Sequence, residues 1–418
     1  MKYILPTYCL LFLSFTLQAQ ANYEEEKVPK YTLPELLVAE NGIKINTPAK
    51  WTNIRRQEVL SLFEEHVYGK VPEFTYQTSY SVKELPSTGL PKNAVAREVE
   101  VRIFNSKDTI RINILVFLPA ESQHPAPLFI GYNFHGNQTV HANPHISVTS
   151  NYVINSSKLG ISGNRVDESS RGIRTGRWPV DQILKRGYGL ATIHCGDIDP
   201  DFDDGFENGI HSLLDNNQAG QWPTISAWAW GLSQAMDYLQ LDPKIDANAV
   251  AVIGHSRLGK AALWAGAIDK RFALVISNNS GCGGAALSKR KYGETVKRIN
   301  TSFPHWFSTN FKAYDDNENT LPLDQHMLIA LMAPRPVYVA SAEDDRWADP
   351  KGEYLSIYHA GAVFDLFGKG RFTNPQSPQV NSPRIDGNLG YHIRTDGHDL
   401  TLYDWEKYLD FADIHLKK

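Results

Sequence analysis

The chain has 418 residues, 42% hydrophobic and 21% charged, an ordinary balance for a globular protein with a large core. A formal net charge of −4 gives no reason to expect nucleic acid or an anionic membrane surface as a partner. The three cysteines form no Cys/His cluster at ligand spacing, so a metal site has no support.

The first stretch reads as an export signal. Lys2 supplies a positive start, residues 8–17 a short apolar run, and Ala19-Gln20-Ala21 a small-residue cleavage pattern, so residues 1–21 are expected to be removed. The run is too short to span a bilayer and nothing later reaches transmembrane length, which predicts a soluble protein, secreted or periplasmic. Cleavage would leave Cys195 and Cys282. One disulfide is open to them in an oxidising compartment; two buried thiols are the other reading.

Residues 22–31 are charged and contain proline, and read as a leader. Segments 97–104 and 109–118 alternate apolar and polar residues, predicting an antiparallel hairpin at a sheet edge. Short apolar strands are predicted at 128–134, 189–194, 249–253, 272–277 and 336–341, with helices at 227–240 and 258–268. Strands alternating with helices predict an α/β chain: a doubly wound, mostly parallel sheet with helices on both faces, three layers in all. The polar stretches 138–177 and 361–388 lack a regular pattern and read as insertions in one catalytic domain covering 22–418. A final amphipathic helix is predicted at 402–416, its apolar stripe being core packing.

The chemistry is expected beyond the carboxyl ends of the strands. Directly after the run 249–253 stands Gly254-His255-Ser256-Arg257-Leu258-Gly259-Lys260. A strand, a sharp Gly-x-Ser turn and a helix are how a serine is held strained and exposed as a nucleophile. The motif departs from the general G-x-S-x-G elbow, because its second glycine comes one residue late. A serine hydrolase also needs a base and an acid to orient it, here in the chain order Ser, Asp or Glu, His. After the strand 336–341 comes Ala342-Glu343-Asp344-Asp345-Arg346-Trp347, and before the last helix Thr395-Asp396-Gly397-His398-Asp399. Counting from the strand start favours Asp345 as the acid, with Glu343 and Asp344 as alternatives. The bland readings are a chance histidine among fourteen and a solvated acidic loop; the order and location of all three residues favour the triad.

The heptapeptide resembles the G-C-S-R-x-G-K motif of the glucuronoyl esterases, carbohydrate esterase family 15, above all the bacterial members. Further strings agree: Gly131-Tyr132-Asn133-Phe134-His135-Gly136-Asn137, Arg177-Trp178-Pro179, Gly196-Asp197-Ile198-Asp199-Pro200, Pro304-His305-Trp306 and Asp345-Arg346-Trp347. The late glycine is that family's own pattern. The resemblance implies an α/β-hydrolase fold with Ser256 as nucleophile, His398 as base and Arg257 aimed at the oxyanion. It implies that Lys260 hydrogen-bonds sugar hydroxyls, that Trp347 borders a uronate ring and that His305 lies near it. Without the resemblance, Lys260 would read as a solvated helix residue, and Trp347 and His305 as core. Two departures stand out. Asn279 replaces the Glu that many relatives carry in an E-S-G-x-G-G string, which places the acid's role on Asp345. His255 and Asp399 replace the two cysteines that many members pair across the site.

The expected function is therefore serine-dependent hydrolysis of the ester between (4-O-methyl)glucuronic acid of glucuronoxylan and an alcohol, as in lignin–carbohydrate links. No cofactor is expected, the partner is plant cell-wall polysaccharide, and the protein is expected to act as a monomer. The rivals are an acetyl or feruloyl xylan esterase on the same fold, and a noncatalytic glycan-binding protein. Nine Trp and nineteen Tyr suit sugar rings, but aromatics are also good core filler.

Overall fold

The computed structural model describes residues 21–215 and 221–417. Its strands are β1 (Gln77–Glu84), β2 (Ala94–Phe104), β3 (Thr109–Pro119), β4 (Ala126–Asn133), β5 (Gly189–His194), β6 (Ile245–His255), β7 (Leu274–Asn278), β8 (Val337–Ala342), β9 (Arg384–Asp386) and β10 (Leu389–Arg394). They form one sheet in the order β1-β2-β3-β5-β4-β6-β7-β8-β10-β9. The run from β5 through β4, β6, β7 and β8 to β10 is parallel. β1–β3 at one edge and β9 at the other are antiparallel.

Side-chain alternation divides the core in two. On β6, Val250 and Val252 enter one apolar cluster while Ala249, Ala251 and Ile253 enter the other. β3 does the same with Ile114 and Val116 against Leu115 and Phe117. Helices Arg56–Phe63, Thr224–Leu239, Arg257–Ile268 and Pro350–Leu366 cover the first face. Helices Val180–Lys185 and Leu402–His415 cover the second. Continuously apolar central strands are what a sheet buried on both faces requires. The expected three-layer α/β architecture is the one observed.

The differences lie where apolar periodicity is weak. β1 is an edge strand, exposed along nearly its whole length, whose only large apolar side chains are Tyr80 and Val82. The expected insertion 361–388 is shorter than its polar composition suggests, because helix Pro350–Leu366 runs into it and β9 closes it. Residues 138–177 hold short 3-10 turns and two isolated antiparallel bridges, Ser156 with Ile161 and Ser162 with Arg165. Cys195 and Cys282 are free buried thiols, not a disulfide. Burial raises both thiols well above the ordinary range, which makes them inert. The expected export signal lies, apart from Ala21, outside the described residues. Among the described residues no helix is long and apolar enough to cross a membrane, and no group of three or more His, Cys, Asp or Glu is placed to hold a metal.

Candidate active site

Adjacent parallel strands deliver their last residues to one edge of the sheet. Ser256 follows β6, Asn279 follows β7, Asp345 lies three residues beyond β8, and His398 four beyond β10. All four line one cavity of about 310 Å³, together with Arg257, Lys260, Glu294, Phe303, Trp306 and Trp347.

Ser256 has φ 60° and ψ −131°, a conformation that costs an L-residue on the order of 1–3 kcal/mol and persists only where its surroundings enforce it. Its N–H donates to Asn278 O at 2.9 Å, anchoring the turn to β7. The turn also explains the late glycine. A Cβ at Gly254 would collide with the Leu258 carbonyl, and one at Gly259 would meet Gly254 O and Ser280 Cβ at 3.0 Å. The close approach of strand and helix therefore falls on residues 254 and 259, and Leu258 is free to pack into the core at 1% exposure.

His398 Nδ1 is 2.6 Å from Asp345 Oδ2. The ring is 42% exposed while the carboxylate side chain is only 5% exposed, so the imidazole is open to the cavity and its carboxylate partner is not. Burial pushes the Asp345 carboxyl up, but hydrogen bonds and charge from His398 and a bond from Asn279 outweigh it and hold it below its ordinary value. Glu343 and Asp344 are exposed, whereas Asp345 is buried against His398. Asn279, at φ 48°, gives its amide N–H to Asp345 Oδ2 at 2.9 Å. It holds the acid instead of replacing it.

The histidine loop has its own template. Buried Arg394 donates to the carbonyls of Thr395 at 2.7 Å, Gly397 at 3.0 Å and Asp399 at 2.7 Å. Its Nε pairs with Asp404 Oδ2 at 3.0 Å, and Asp404 forms the capping box of the last helix with Thr401. His255 lies tilted at 39° to the His398 ring, with centroids 4.6 Å apart, and its Nδ1 is 2.6 Å from Asn278 Oδ1. Arg177 Nε pairs with Asp399 Oδ1 at 2.5 Å. Residues 255 and 399 thus make ring and polar contacts beside His398.

Arg257 opens the helix Arg257–Ile268, so its backbone N–H is one of the unpaired donors of the first turn. Its guanidinium sits 4.5 Å from the Trp306 ring and 5.1 Å from Phe303, and pairs with Asp201 Oδ2 at 2.5 Å. Nε of Arg257 is buried without a partner, a charged donor left unspent beside the serine. Burial raises the Asp201 carboxyl, but Arg257, His305 and Trp306 bring it down to about 2. Asp201 is thus a fixed anion that holds the guanidinium in place.

Lys260 is 4% exposed and donates one N–H to Ser280 O, leaving two for the cavity. Glu294, which no local pattern marks, stands in the same cavity with its carboxyl raised by burial and lowered less by Lys260 and a hydrogen bond from Trp347. The tight turn at Gly293, φ 63°, puts it there, and Glu294 N–H donates to Trp347 O at 3.0 Å. Trp347 is 38% exposed on the rim. His305 is the expected binding residue that the structure moves. It does not line the cavity: its Nε2 faces Asp201 at 3.3 Å and its carbonyl accepts from Thr224 N–H at 3.0 Å. The next residue, Trp306, lines the cavity instead, at the close of a turn in which its N–H donates to Phe303 O at 3.1 Å.

A carbohydrate esterase, MZ0003, from an unknown prokaryotic organism is 48% identical over 94% of this chain and 92% of its own length. The chain belongs to carbohydrate esterase family 15, the glucuronoyl esterases. The sequence profile for "Glucuronyl esterase, fungi" matches residues 207–368, a segment that contains Ser256 and Asp345. Among solved structures, a promiscuous family 15 esterase from a marine bacterial metagenome superposes with TM-score 0.89 at 48% identity, over 95% of this chain and all of that one. The glucuronoyl esterase of Solibacter usitatus gives 0.84 at 43% identity, covering 93% of this chain and 99% of that one. The fold is that of the family, an α/β hydrolase, and its members are carboxylic ester hydrolases.

Proposed function

We propose that this family 15 member hydrolyses esters of (4-O-methyl)glucuronic acid through an acyl-enzyme on Ser256. The observation that carries the reading is one cavity holding both halves of the task. Ser256, His398, Asp345 and Arg257 line it, and so do Lys260, Glu294 and Trp347. His398 removes the Ser256 proton as Oγ attacks the ester carbonyl, and Asp345 stabilises the imidazolium. Arg257 and the first-turn N–H meet the negative charge on the tetrahedral oxygen, where a preorganised donor is worth most. His398 then protonates the leaving alcohol. Water repeats the cycle on the glucuronoyl ester and frees the acid.

Lys260 and Glu294 supply a donor and an acceptor for vicinal sugar hydroxyls, and Trp347 an apolar face for the ring. Their placement reads the sugar and leaves the alcohol unconstrained. The ester-bearing chain is inferred to be plant glucuronoxylan, met outside the cytoplasm by an exported monomer.

The test compares benzyl glucuronate with benzyl galacturonate. Turnover of the first well above the second is expected, since the epimers differ at one hydroxyl that the polar pair reads. Hydrolysis of neither, together with release of acetate or ferulate from xylan, would overturn the assignment. Labelling of Ser256 by a fluorophosphonate separates both enzyme readings from a noncatalytic glycan binder.

A further inference from the structure

We propose that a second cavity on the catalytic edge of the sheet is a binding site for neutral oligosaccharide. The cavity is about 680 Å³, within the ~300–1,000 Å³ of sites that enclose small-molecule ligands. Its walls are the start of β3, residues 147–152 of the polar stretch, and the segments around 194–202 and 207–212. It shares no lining residue with the catalytic cavity.

The chemistry of the walls selects the ligand. The acids Asp108, Asp197 and Glu207 nearly offset Arg111 and Arg165, so no excess of one charge favours phosphate or a cation. Asn113, Asn151 and Asn208 each give one amide N–H to a carboxylate, of Glu98, Asp197 and Asp204, and each keeps a second N–H, which with the Ser150 hydroxyl makes the mixed donor and acceptor pattern that sugar hydroxyls match. Asn113 Oδ1 is buried with no hydrogen-bond partner. One wall is aromatic: the rings of Tyr152 and Phe202 lie 4.5 Å apart and present an apolar face. A lipid would need a far more apolar lining. A neutral molecule rich in hydroxyls, with one apolar ring face, satisfies every wall.

The two cavities meet at one loop. Pro200 and Phe202 face the second cavity, while Asp201 between them holds Arg257 in the first. A Cβ at Gly196 would come within 2.9 Å of Tyr152 O, so the loop and the aromatic wall are packed backbone to backbone. A polymer engaging both cavities would gain affinity over a short ester, a consequence that rests on the proposed function. Binding itself does not rest on it.

Titration of the wild-type protein with unesterified xylotetraose, followed by calorimetry or NMR, tests the site. Saturable binding with Kd on the order of 1 mM is expected for wild type, Tyr152→Phe and Lys260→Met. Tyr152→Ala should weaken it at least about tenfold while kcat/KM on benzyl glucuronate stays within about twofold, which also reports that the variant folds. The exposed pair Glu207→Ala/Asn208→Ala should weaken binding too, and stands in should Tyr152→Ala not fold. No saturable binding to wild type would overturn the proposal. So would binding that Lys260→Met weakens and the Tyr152 and Glu207/Asn208 variants leave intact, because the sugar would then sit in the catalytic cavity. Failure of the protein to cleave benzyl glucuronate would sink the esterase reading and leave this measurement standing.

Discussion

The two sides of the catalytic cavity are built differently. On the reacting side, Ser256, Asn279, Asp345 and His398 each follow one of four strands that are neighbours in the sheet, β6, β7, β8 and β10. Their proximity is a consequence of parallel topology, fixed by the same burial that makes the sheet. The rest of the lining, Lys260, Glu294, Phe303, Trp306 and Trp347, comes from a helix turn and irregular segments. They are held by buried ion–ring contacts and tight turns rather than by strand order. The lesson is a division of labour. Changes on the first side should remove the reaction, and changes on the second should alter which ester is bound.

The largest effect is expected from Ser256→Ala, a loss of about 10⁵–10⁶ in kcat on benzyl glucuronate with an unchanged circular dichroism spectrum. Asp345→Asn should lower kcat by ~10³–10⁴, because a neutral partner neither fixes the histidine tautomer nor stabilises the imidazolium. Asn279→Ala, removing only a hydrogen bond to that acid, should cost less than about tenfold. The reverse ranking would show that the relay has been misassigned.

Arg257→Met should then reduce kcat by ~10²–10³ with little change in KM, the mark of a group that meets charge developing in the transition state. Lys260→Met belongs to the other side and should raise KM on glucuronate esters about tenfold or more, with a smaller effect on kcat. If it instead behaved like the Arg257 variant, the separation of reacting and binding sides would fail.

The smallest effect concerns support behind the reacting side. Glu353 accepts from the N–H groups of Ser280 at 2.8 Å and Gly281 at 3.0 Å, and from Ser341 Oγ at 2.6 Å. Burial raises its carboxyl from 4.5 to about 8. A carboxyl with a raised folded pKa stabilises the fold when protonated; that contribution is complete below the unfolded value and is lost as pH rises through the folded one. Glu353→Gln mimics the protonated acid, so its melting temperature should match wild type near pH 5 and exceed it by about 2–5 °C near pH 9. Thermal melts across that range check it, and parallel curves for the two proteins would contradict the burial argument.

Much of this site is legible in the amino-acid sequence. Ser256 and His398 stand out because a strand–turn–helix nucleophile and a histidine before the last helix are local patterns with fixed places in the topology. Asp345 is legible only as one of three neighbouring acids. Which of them turns inward depends on the path of the chain after β8, and that path is set by contacts with residues far off in sequence, Asn279 and His398 among them. The same limit displaces His305 in favour of Trp306. Glu294 leaves no trace at all, since a lone acid after a glycine is ordinary and only folding brings it against Lys260 and Trp347.

Local sequence determined the alternation of apolar strands and helices, hence a parallel sheet with a functional edge, and the order in which nucleophile, acid and base reach it. Those features rest on short-range periodicity and turn chemistry, which neighbouring residues carry among themselves. Tertiary folding alone decided which acid is buried against the base, what holds Arg257, which aromatic lines the cavity, and that the two cysteines stay apart. It also decided that a second polar cavity lies behind the Asp201 loop. Each of these depends on contacts between residues tens to hundreds of positions apart, where burial, charge pairing and packing choose among alternatives that are locally equivalent.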